Sequence, residues 1–218
     1  MQGIVKSTPL VIYSCDPFEH VTKLAHPDGN VTGTTCMTTE LSPKRLELLK
    51  ELLPGARRVV FFHDPEDAPE GWRLTQEAAQ KLGVTIRSVP YKGRDGIPEA
   101  LKQVAKLKPD AVFVYPDAIL VAEARPLAQF WLEHSLPAMN AFPEFSDAGG
   151  LMSYGVISTE VFGMMGDQVG KILDGARPGD VPVMRATRFH LVINLQTARA
   201  LGVKVPQSML IRADRVIE

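Results

Sequence analysis

Polar and aromatic residues close three apolar runs in the middle of this chain. Val59-Val-Phe-Phe62 ends at His63-Asp64, Ala111-Val-Phe-Val-Tyr115 at Pro116-Asp117, and Pro137-Ala-Met-Asn140 at Ala141-Phe142. A fourth run, Leu10-Val-Ile-Tyr13, ends at Ser14-Cys15-Asp16. Side chains just after parallel strands stand where open α/β sheets bind their ligands. Ser14, Cys15, Asp16, Asp64, Tyr115, Pro116, Asp117, Asn140 and Phe142 are therefore the candidate ligand-binding residues. Between them they offer hydroxyl, carboxylate, amide and ring, a set suited to a small zwitterion. Asp117 follows the most apolar run, so its carboxylate is expected near the low-dielectric core, where a cationic group gains more than at an open surface. Tyr115 adds a ring face for an amino acid or another small organic cation. Asp64 and Asp117 have a second reading, as caps of the helices that follow.

Catalytic chemistry finds little support. Cys15 has no nucleophile motif around it, and a lone cysteine is commonly a small packed hydrophobe. There is no Gly-x-Gly-x-x-Gly, no phosphate loop ending in Gly-Lys-Ser/Thr, no Gly-x-Ser-x-Gly and no His-Glu-x-x-His. His20 and His26 lie six residues apart across an expected helix end, a poor geometry for a metal. Asp64 and Asp117 resemble the acidic pocket of phosphoryl-transfer receivers only loosely, because no strand end supplies the lysine such a pocket needs. No catalytic residue, metal ligand or cofactor is expected.

The elements that must position these residues alternate strand and helix. Ser42-Pro43 can start a helix, with the hydroxyl as cap and the proline in the first turn. Leu46, Leu49, Leu52 and Leu53 share its face, and Pro54-Gly55 ends it. Helices are expected over 21–25, 70–82, 97–107 and 119–134, the last bent or interrupted at Pro126. Strands are expected over 31–37, 84–89, 137–140 and 151–154. Runs apolar on both faces and separated by helices call for a parallel sheet covered on both sides, so residues 57–154 read as one doubly wound unit. Gly149-Gly150 reads as a tight turn with an added hinge role. Farther on, 160–173 is helical despite glycines at 163, 166 and 170, 189–193 is a strand and 195–201 a short helix. Residues 203–218 read as irregular.

The whole chain of 218 residues balances 24 Lys+Arg against 25 Asp+Glu and is 45% apolar. At about 150 residues per domain it forms one large domain or two small lobes. The charge balance argues against sequence-independent nucleic-acid binding. No apolar run approaches the roughly 20 residues of a membrane helix, and the N-terminus does not read as a signal peptide. Two cysteines cannot build a disulfide framework or a four-ligand zinc site.

Five ordered segments carry a family resemblance: Gly29-Asn-Val-Thr-Gly33, the helix 44–54, Gly149-Gly-Leu-Met-Ser-Tyr-Gly155, the stretch 191–202 and Arg212-Ala-Asp-Arg-Val-Ile-Glu218. On these the chain resembles ABC-transporter substrate-binding proteins of the tryptophan/aromatic-amino-acid-like branch. The resemblance implies a two-lobed periplasmic binding protein type I fold with Rossmann-like doubly wound parallel sheets, its first lobe incomplete because part of the N-terminal lobe is absent. Residues 1–40 with 155–218 would form the partial lobe 1 and the crossovers, near 31–42 and 153–158, and 41–154 the complete lobe 2. It further implies a solute-binding component of an ABC importer that closes two lobes on a small organic ligand, partnered by permease subunits, in the periplasm or cell envelope. An effector-binding sensor of the same fold, or an α/β enzyme, are the rival expectations.

Overall fold

The computed structural model describes residues 8–14, 21, 23–27 and 29–218. Two compact units divide the chain. One holds the described residues up to Thr38 together with Val156–Phe189, and the other holds Thr39–Gly155 and His190–Glu218.

The larger unit is built on a seven-stranded sheet. Its strands are β3 (Arg58–His63), β4 (Thr85–Pro90), β5 (Ala111–Val114), β6 (Ala138–Asn140), β7 (Met152–Gly155), β9 (His190–Asn194) and β10 (Arg215–Ile217). Their spatial order is β10-β9-β7-β6-β5-β3-β4. All neighbours are parallel except β7 and β9, which pair antiparallel with Ser153 opposite Val192. The pleat explains the continuous apolar runs. Val59, Phe61, Ala111 and Phe113 point to one face, packed by α1 (Ser42–Leu52), α2 (Pro69–Lys81) and α8 (Leu195–Ala200). Val60, Phe62, Val112 and Val114 point to the other, under α3 (Gly93–Leu107) and α5 (Ala124–Glu133).

The connections position the site. From β3 the chain turns into α2 on the first face, and from β5 it turns through α4 (Ala118–Ala122) into α5 on the second. β3 and β5 are neighbours in the sheet, so the loops at their carboxyl ends diverge to opposite faces. That is the topological switch point of a doubly wound sheet, the place where sheets of this kind bind their ligands.

The smaller unit carries a three-stranded parallel sheet in the order β1-β2-β8, from β1 (Leu10–Ser14), β2 (Val31–Thr35) and β8 (Met184–Arg185). It packs against α7 (Ser158–Leu173), whose Gln168 is fully buried. The Gln168 amide nitrogen donates to the carbonyls of Gly33 at 2.7 Å and Pro182 at 2.9 Å, and its oxygen accepts from Thr34 at 3.1 Å.

Several sequence expectations need correcting. The tail does not all pair with residues 1–40: β9 and β10 extend the larger sheet, so 190–218 belong there and a third crossing falls at Phe189/His190. The apolar run of β9 is that of a buried strand, which could join either sheet, and only the tertiary contacts choose. Residues 203–218 are not irregular, since they form α9 (Gln207–Arg212) and β10. Within residues 57–154 the sheet is parallel, as expected, and the antiparallel pairing enters with β9 from the tail. Lys23–Pro27 is non-helical, and the β8 strand was not foreseen. Leu41, not Ser42, occupies the N-cap of α1, and Ser42 lies inside the first turn. The long helix breaks at Glu123, three residues before Pro126, because the proline ring crowds the carbonyl four residues back, at Ala122. Gly149-Gly150 turns inside the larger unit, away from its boundary at Gly155/Val156, so it is no hinge. Gly149 has φ +109° and Gly150 faces the Phe145 ring so closely that no side chain fits. The turn after α6 (Pro143–Asp147) requires both.

Candidate functional site

Asp117 stands at the switch point. Its Oδ1 accepts the Leu120 amide at 2.8 Å, capping α4. Its Oδ2 is buried with no hydrogen-bond partner among the described residues. Capping thus takes one oxygen of this carboxylate and leaves the other unpaired among the described residues, so the two readings from the sequence do not exclude each other. Burial pushes the Asp117 carboxyl up to about 6; the amides of Leu120 and Ile119 work against the rise, while Asp67 and Asp64 add to it. Burial, then Asp64 and Glu66, also raises Asp67 above the usual carboxylate range. Neither Asp64, Asp67 nor Asp117 has an ion-pair partner among the described residues. Three carboxylates that form no ion pair among the described residues favour a positively charged guest.

The β3 end is organised from within. Asp64 Oδ1 accepts the Glu66 amide at 3.0 Å, and Oδ2 faces the Gly93 amide at 3.5 Å. His63 Nδ1 lies 3.1 Å from the Asp64 carbonyl, which can only accept, so Nδ1 carries the proton and Nε2 accepts from the Ser88 hydroxyl at 2.8 Å. Burial lowers the His63 pKa, in keeping with this neutral ring. The Trp72 ring stacks on it, 6.3 Å between centroids.

Tyr115 is not an open ring face. It is 2% exposed, its ring packs 5.4 Å from Phe61, and its hydroxyl lies 3.1 Å from that of Thr39. Its neighbour Pro116 is buried too. Asn140 spends both ends of its amide internally: Nδ2 donates to the Val114 carbonyl at 3.1 Å and Oδ1 accepts the Phe142 amide at 3.0 Å. The first bond ties the end of β6 to the end of β5, and the second sets the turn in which Phe142, 7% exposed, lies. Asp64, Pro116 and Asp117 therefore gather at one sheet end, with Tyr115, Asn140 and Phe142 forming the wall behind them. Ser14 ends β1 in the smaller unit. Cys15 and Asp16 lie outside the described residues.

Sequence reasoning missed Asp67, whose position four residues past the end of β3 carried no signal, and Thr39 and Gly71, whose contacts with Tyr115 are visible only in the fold. It also passed over Arg45, a buried arginine on α1 whose Nε donates to the Tyr154 carbonyl at 2.6 Å. Among the described residues no group of three His, Cys, Asp or Glu side chains is placed to hold a metal, and no helix is long and apolar enough to cross a membrane.

Comparison with known proteins supplies the family. A tyrosine-binding protein of Clostridioides difficile (strain R20291) is 24% identical over 204 residues, 91% of this chain and 58% of that protein. The chain thus spans somewhat over half the length of that curated relative. A conserved domain protein from Vibrio cholerae O1 biovar El Tor superposes with a TM-score of 0.91 at 25% identity, covering 98% of this chain and 73% of that one. An ABC domain from Streptococcus pneumonia, solved in complex with L-Trp, gives 0.89 at 23% identity, covering 99% and 74%. The family model for ABC transporter substrate binding protein matches residues 2–217. With nearly every residue inside that match and the two-sheet α/β fold shared with solved binding proteins, the chain belongs to the ABC transporter substrate-binding proteins, a family of binding proteins rather than enzymes.

Proposed function

We propose that this chain captures a free amino acid with an aromatic side chain, holding its ammonium group at Asp117, as the solute-binding component of an ABC importer. The observation that supports the ammonium assignment is Asp117 Oδ2, a buried carboxylate oxygen at the switch point of the sheet with no hydrogen-bond partner among the described residues. An ammonium placed there gains a charge-assisted hydrogen bond in a partly desolvated setting. Asp64 and Asp67 add to the negative field without competing for the same hydrogen bond. The aromatic side chain is supported by the tyrosine-binding and L-Trp-bound relatives. Family membership supports permease subunits as the partner and an extracytoplasmic place of work, in the periplasm or cell envelope.

A thermal-shift screen of the twenty common L-amino acids, with glucose and benzoate as controls, tests the reading. A ligand at a hundred times its Kd adds about 2.7 kcal/mol of stability, a shift of several degrees. Stabilisation by tryptophan, tyrosine or phenylalanine ahead of the acidic and aliphatic amino acids is expected. A chain that responds to glucose or benzoate and to no amino acid would overturn it.

A further inference from the structure

Tyr115 is fixed from two sides by residues with no other evident task. Thr39, where the chain enters the larger unit, places its hydroxyl 3.1 Å from the Tyr115 hydroxyl in a buried setting. Gly71, in the first turn of α2, lies flat against the ring: a methyl carbon there would overlap the ring and stand 2.8 Å from the hydroxyl oxygen. Phe61 backs the ring from the sheet. Two residues after Tyr115 comes Asp117, and between them is a buried proline that leaves little slack. The ring therefore fixes the backbone that aims the Asp117 carboxylate.

We propose that Thr39 is a positioning residue for the binding site, acting through Tyr115 to hold Asp117 Oδ2 in its buried, unpaired state. Its effect on affinity rests on the amino-acid reading above; its effect on Asp117 does not. Without the Thr39 hydroxyl, or without that of Tyr115, this buried hydrogen bond is lost and the ring is held less firmly. The Pro116-Asp117 segment follows, and Asp117 becomes better solvated. Placement to within about 0.5 Å matters at such sites, and supporting residues supply it.

The test compares wild type with Thr39→Val, Thr39→Ser and Tyr115→Phe. The side-chain carboxyl carbon of Asp117, assigned with Asp117→Asn, is followed by NMR through a pH titration of the ligand-free protein. In the wild type the midpoint is expected at about 6, raised by burial. In Thr39→Val and in Tyr115→Phe the midpoint should fall by about half a unit or more toward the ordinary value, while Thr39→Ser keeps it. Titration calorimetry with L-tryptophan should show about a three- to tenfold weaker Kd for Thr39→Val, the net worth of one hydrogen bond, and near wild-type affinity for Thr39→Ser. If Thr39→Val does not fold, Tyr115→Phe carries the same test from the other side of the bond. An unmoved Asp117 midpoint in the folded variants overturns the positioning role. Absence of L-tryptophan binding by the wild type counts against the amino-acid reading, and the titration still decides the role of Thr39.

Discussion

On the proposed reading, Asp117 joins a helix cap and the capture of an ammonium group on one side chain, and its burial sets a cost on its charge. An ionised carboxylate is costly beside the core, and burial raises its pKa to about 6. A carboxyl whose folded pKa lies above its unfolded value binds more protons folded than unfolded. Its charge therefore costs stability as pH rises through the window from about 4 to 6. Asparagine caps a helix as well as aspartate, so Asp117→Asn should be at least as stable as wild type at pH 7.5. Its melting temperature relative to wild type should rise between pH 5 and 7; a falling difference would refute the buried-charge account. His63, neutral and buried, loses stability in the other direction as pH falls, but it is common to both proteins and cancels in the comparison. The same scale holds a packing prediction. Alanine is normally better than glycine inside a helix by about 1 kcal/mol, yet Gly71→Ala forces a methyl into the Tyr115 ring. Overpacking of that kind costs about 1–3 kcal/mol, so chemical denaturation should show a net loss. A stabilised Gly71→Ala would mean that the ring is free to move.

Strands and helices here are held together at their starts as well as aligned at their ends. At the amino ends of β3 and β5, Asp110 accepts the amides of Arg57 and Arg58 at 2.9 and 2.8 Å and the Arg58 guanidinium at 2.9 Å. The guanidinium bond and these amides draw the Asp110 carboxyl down to about 2. A depressed carboxyl contributes stability above its ordinary value and loses it as pH falls toward the folded pKa. Asp110→Asn should therefore be less stable by about 1–2 kcal/mol at pH 7, and the gap should close between pH 4 and 2. An equal gap at both ends of that range would contradict the clamp. The central strands were legible because Val59–Phe62 and Ala111–Val114 are apolar at every position, a pattern that only a sheet covered on both faces explains. Asp64 and Asp117 were legible because they close those strands. What was not legible depended on distant contacts. β9 reads as a buried strand but does not announce an antiparallel partner in β7. Tyr115 looks like a ligand platform until α2 and Thr39 are seen to cover it.

Across the whole molecule, the division of the chain gives the tail a defined role. β9 brings Leu191 and Ile193, and α9 brings Met209, into the core of the larger unit, all nearly inaccessible to solvent. Deleting residues 190–218 should abolish the cooperative thermal transition of that unit, read by circular dichroism. A sharp transition in the shortened chain would show that the sheet is complete without them. The central claim concerns what the molecule holds, and Asp117 separates the possibilities most directly. Isothermal titration of wild type and Asp117→Asn with L-tryptophan and L-tyrosine at pH 7.5 measures the contact itself. Because asparagine keeps the α4 cap, weaker binding by on the order of 1.5–3 kcal/mol in a variant that melts no lower than wild type is the predicted result. Wild-type affinity in Asp117→Asn would reduce this carboxylate to a helix cap and contradict the account.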